Sequence, residues 1–101
     1  MEPIRLTPRL CRAARSLLGW QQQHLVDASG VAKSTVGAFE IKEESAKLAN
    51  LNNQALVRAF EAAGLQFIPE NGGGAGVRWR DRQTAPGQGK TPDELTTEND
   101  G

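Results

Sequence analysis

Glycines at 19, 30 and 64 cut the first two thirds of the chain into short runs of helical periodicity. Helices this short are marginal in water on their own, so they must share one core. Thr7-Pro8 opens the first run: a hydroxyl able to cap orphan amides precedes a proline suited to the first helical position. Leu10, Ala14, Leu17 and Leu18 then form one buried stripe with Cys11 beside it, and Gly19 ends the run. Arg9, Arg12 and Arg15 recur on another face, where a solvated surface and phosphate contact are both open readings. A second helix is expected over 22–29, carrying Leu25, Val26 and Ala28 and closed by Gly30. A third, over 33–40, buries Val36 and Phe39, while the polar stretch 41–50 reads as a loop or frayed turn. Leu56, Ala59, Phe60 and Ala63 define an amphipathic helix over 51–63, closed by Gly64.

Beyond Gly64 the period falls from that of a helix to that of a strand. Leu65-Gln66-Phe67-Ile68 and Val77-Arg78-Trp79-Arg80 largely alternate, with a glycine-rich turn between them. The predicted fold is mainly α: a compact four- to five-helix bundle with a short C-terminal β-hairpin. Its expected organisation is a helical domain over 1–68, the turn and second strand over 69–80, and a disordered acidic tail over 81–101. In that tail Leu95 is the only large apolar group.

Composition removes several functional classes. Cys11 and His24 are the only cysteine and histidine, which rules out an internal disulfide and a cysteine-rich zinc site, so no metal or cofactor is expected. No stretch resembles a signal peptide or approaches the length of a membrane span, so the expected setting is the cytoplasm. The chain has no net charge, but residues 1–80 carry +3 and residues 81–101 carry −3. A basic folded part is compatible with a polyanionic partner.

Residues 22–41 read QQHLVDASGVAKSTVGAFEI. Two short helices that cross steeply touch at few points and need a turn with positive φ. Val26, Gly30, Val36 and Phe39 stand where a helix-turn-helix requires apolar contacts and a glycine. In ARSLLGWQQQHLVDASGVAKSTVGAFE the chain resembles the Xre/Cro family of phage-type repressors, and more closely the short bacterial members with the pattern RxxLGWSQxxLAxxAGVSxSTxxxFE. The likeness spans about residues 6–68, and EAAGLQFIPENGGGAGVRWR is similar to the tail of those short members.

The resemblance implies a sequence-specific, double-stranded DNA-binding transcriptional regulator, a repressor in type. By position it implies that Gln22, with Gln23 beside it, reaches a phosphate and braces the recognition helix. Lys33, Ser34 and Ala38 would enter the major groove and Thr35 would meet the backbone. Lys33 can donate to guanine and Ala38 can touch a thymine methyl. The chain departs from the pattern at Gln21 and Ala32, which replace capping serines, at Val26, which replaces alanine, and at Gly37 in mid-helix.

One short helix reads few base pairs, so a homodimer is expected. Leu65, Phe67, Val77 and Trp79 should share one hairpin face, covered partly by the helices and partly by a second chain that pairs along a strand edge, the other reading being a hairpin folded back on its own helices in a monomer. Such a dimer would set two recognition helices about 34 Å apart. The alternative reading is a protein-binding helix-turn-helix module, antiactivator or antitoxin-like, that engages another regulatory protein and binds DNA weakly or not at all. An enzyme is not expected. Gly87-Gln88-Gly89-Lys90-Thr91 lacks the first glycine and the helix of a phosphate loop, and His24 has no catalytic partner placed by the sequence.

Overall fold

Thr7 Oγ1 accepts the Leu10 N–H at 3.1 Å and starts α1 (Pro8–Leu18), which ends at Gly19 with φ at 68°. The structure, a computed structural model, describes residues 4–82. Helix α2 (Gln22–Ser29) ends at Gly30, again with positive φ at 77°. A short link leads to α3 (Lys33–Glu40), and residues 41–49 form no regular element before α4 (Asn50–Ala62). Strands β1 (Leu65–Ile68) and β2 (Gly76–Trp79) pair antiparallel, with Leu65 opposite Trp79 and Phe67 opposite Val77. The described residues are therefore mainly helical, with four helices and one two-stranded sheet. None of those helices is long and apolar enough to cross a membrane. Residues 83–101, which hold most of the expected acidic tail and the Gly87–Thr91 motif, lie outside the described residues.

The core joins all six elements. Leu25 of α2, Val36 and Phe39 of α3, Leu56 and Phe60 of α4, and Leu65 and Phe67 of β1 are buried in one cluster. Phe60 lies at its centre, stacked on Trp20 at 6.0 Å and meeting the Phe67 ring edge-on at 5.9 Å. Ala28, expected on the apolar side of α2, is exposed.

Helix α1 is turned from its expected orientation. Cys11 and Ala14 are fully buried, Leu10 and Leu18 are half-buried, and Leu17 is 40% exposed. The buried face carries the small side chains of Pro8, Cys11 and Ala14, which lets α1 approach α3, and Arg15 is directed inward as well. The arginine series is thereby split. Arg15 is neither solvated nor available to phosphate, and Arg12 donates to the Glu40 carbonyl. Arg9 remains at the surface, 4.0 Å from Glu44.

Leu6, in the extended segment before α1, is fully buried. Asn53 of α4 fixes that segment: its Oδ1 accepts the Leu6 N–H at 2.9 Å and its Nδ2 donates to the Ile4 carbonyl at 2.7 Å. Both are long-range bonds that satisfy a buried amide side chain, a group costly to leave unpaired.

The hairpin faces the helices with the four expected side chains. Leu65 and Phe67 are buried, and Val77 and Trp79 are half-buried against the same cluster. Strand β1 lies over α4 and β2 over α1. Helices of the same chain thus bury Leu65 and Phe67 and cover Val77 and Trp79 in part.

Candidate nucleic-acid interface

Helix α3 divides its residues by face. Val36, Phe39 and Glu40 point inward, while Lys33, Ser34 and Ala38 are exposed on one outer face and Thr35 and Gly37 are half-buried beside it. No acidic side chain lies in the first turn of α3. Ala32 cannot cap it, and among the described residues no hydrogen bond engages the N–H groups of Lys33 and Ser34. With alanine at the cap position, these donors stay open at the positive end of the helix dipole, where anionic oxygens are favoured.

The opposite end of α3 is anchored through Glu40, which is 2% exposed. Its carboxylate accepts from Arg15 Nε and Nη2 at 2.9 and 2.7 Å, from Gln22 Nε2 at 2.9 Å and from Cys11 Sγ at 3.1 Å. The third Arg15 donor, Nη1, reaches the Trp20 carbonyl at 2.9 Å. One carboxylate thus ties α3 to α1, to α2 and, through Arg15, to the link between them. Burial disfavours the ionised form, but the bonds from Arg15, Cys11 and Gln22 outweigh it and hold the carboxyl below its usual range. The same site raises the Arg15 pKa, chiefly through the hydrogen bond to Glu40. Burial first, then the hydrogen bond to Glu40, pushes the Cys11 thiol far up, which makes it an inert donor.

Gln22 and Gln23 occupy the first turn of α2. Gln22 is half-buried and commits one amide hydrogen to Glu40, so its bracing of α3 runs through that carboxylate. Only its second amide hydrogen remains for another acceptor. Gln23 is exposed and donates to Asp27 at 2.9 Å. Gln21 occupies the cap position of α2, where His24 Nδ1 accepts the Gln21 N–H at 3.0 Å and the ring stacks on Trp20. His24 is therefore a structural cap, a role that its glutamine-rich neighbourhood did not suggest.

Gly37 is helical, and a Cβ there would meet only Gln22 Oε1, at 3.5 Å, an ordinary contact. Gly37→Ala should therefore raise folding stability by about 0.5–1 kcal/mol, read as a higher Tm. A lower Tm would mean that the α2–α3 contact tolerates no added methyl group.

Compared with models of known protein families and with the sequences of characterised proteins, the chain matches none.

Proposed function

We propose that the chain is a sequence-specific, double-stranded DNA-binding transcriptional regulator that acts as a homodimer, with α2 and α3 as a helix-turn-helix. The observation that carries this reading is the division of α3 into an anchored inner face, locked by Glu40, and an exposed outer face of Lys33, Ser34 and Ala38 that holds no acid. A rigid helix with the short side chains of Ser34 and Ala38 beside Lys33, and with uncapped amides, suits close approach to a major groove. Lys33 and Ser34 would read base edges, Ala38 a thymine methyl, and Thr35 with Gln23 the phosphates. Gln22 would set the position of α3 and offer its remaining hydrogen to a phosphate.

Selection of bound sequences from a random duplex pool tests this. A convergent, two-fold symmetric site is expected; a pool that stays random would count against sequence-specific recognition.

A second reading, the protein-binding module, is favoured by Ile41. It follows α3 directly and is 85% exposed, an apolar group that phosphates do not reward. Loss of duplex retention with rising salt marks the first reading, and no retention at any salt marks the second.

A further inference from the structure

Strand β2 has an unpaired edge beside an apolar groove, and the two are suited to a second copy of this chain. Arg80 N–H donates to the Gly64 carbonyl at 2.9 Å, one step beyond the Leu65–Trp79 pair. The alternation of an antiparallel ladder then turns the N–H and C=O groups of Val77 and Trp79 away from β1. Among the described residues, no hydrogen bond engages these outward groups. Because β2 lies over α1, this edge borders a groove of about 350 Å³ between Ala13, Ser16, Leu17 and Val77. Leu17, which helical periodicity would bury, is 40% exposed there.

Charge also favours a copy in antiparallel orientation. At the turn end Glu70 and Glu44 line one groove with Arg9, Gly76 and Val77, an acidic excess. The far end of β2 carries Arg78 and leads into Arg80, 3.8 Å from Asp81, and Arg82, a basic excess. An antiparallel two-fold places each basic end against the acidic end of the other chain. The register is set by Arg78. A two-fold centred on Arg78 would oppose two arginines, which costs stability. Centred on Val77, it sets Arg78 against the partner's Gly76 and pairs the outward groups of Val77 with those of the partner's Val77.

We infer that β2 pairs with β2 of a second copy about a two-fold at Val77, forming a four-stranded sheet, with Leu17 and Ala13 of both chains closing the groove. This rests on the dimeric reading above and gives that dimer its interface. Pairing the edges satisfies the open strand groups and covers Leu17 in one step.

Sedimentation of the full chain over micromolar to submillimolar concentrations, without DNA, tests the interface. Val77→Pro removes an outward N–H and no β1–β2 bond, and Leu17→Glu alters an already exposed position. The parent should be dimeric, and each variant should weaken dimerisation by about tenfold or more. In the parent, exchange of the Val77 and Trp79 amides should slow as concentration rises. If Val77→Pro fails to fold, Leu17→Glu decides alone. A parent that is monomeric throughout, or a dimer that survives the substitutions, overturns the interface. A monomer that still prefers one duplex sequence overturns the interface alone. A dimer of this kind that binds no duplex supports the interface and overturns the DNA reading.

Discussion

Arg15→Ala should lower folding stability by about 3–5 kcal/mol, because it leaves the Glu40 carboxylate buried and stripped of its principal partner. In a domain of this size each kcal/mol shifts Tm by about 4–8 °C, so thermal melts would register the change directly. The double variant Arg15→Met with Glu40→Leu should recover much of the stability, since it removes both charges rather than one. If Arg15→Ala melts with the parent, Glu40 is not held as described. The pH dependence has a defined sign. An unfolded Glu takes up its proton near 4.5, whereas in the folded chain Glu40 holds its charge to lower pH. The network's stabilisation is therefore complete above about pH 5 and declines as pH falls through 4.5 towards the folded value. Glu40→Gln should lack that decline, which melts from pH 7 to 3 in parent and variant would reveal.

The second large effect concerns recognition. Lys33→Ala and Ser34→Ala should change which duplex sequences are preferred, since a side chain bonded to a base edge discriminates by about 1–3 kcal/mol. Their melting temperatures should stay with the parent's, because both side chains are exposed. Gln22→Ala should behave differently. It should weaken binding to all duplexes, since the proposed phosphate contact is lost and α3 is held more loosely, and it should also lower Tm because it removes a bond to Glu40. If Lys33→Ala, Ser34→Ala and Gln22→Ala all bind duplexes as the parent does, α3 is not the reading element.

Helix ends and strand pairing were legible in the sequence because each depends on local chemistry. Thr7-Pro8, Gly19 and Gly30 act within a few residues of themselves, and the alternation in 65–68 and 77–80 determines which side chains share a face. The polar tertiary contacts were not. Glu40 occupies the i+4 slot of the stripe begun by Val36 and Phe39, and Asn53 the i−3 slot of the stripe through Leu56 and Phe60. A polar residue in an apolar slot is a visible signal, but its partners at positions 15, 22 and 11, or 4 and 6, are set by how the helices cross. The same crossing rotates α1 so that Cys11 and Arg15 face inward and Leu17 outward, against its apolar periodicity. Of the proposed reading positions, Lys33, Ser34 and Ala38 followed from helix periodicity alone, whereas the tie from Gln22 to Glu40 needed the packed structure.

Whether α3 presents a DNA-reading face on a scaffold held by Glu40 can be decided by an anisotropy titration of the full chain. The titration sets a duplex enriched from the random pool against a scrambled duplex, at several salt concentrations. Tighter binding to the enriched duplex is expected, with affinity for both falling linearly in log–log form with salt and a preference that Lys33→Ala reduces. Equal affinity for the two duplexes, or no binding to either at low salt, would contradict a reading role for α3.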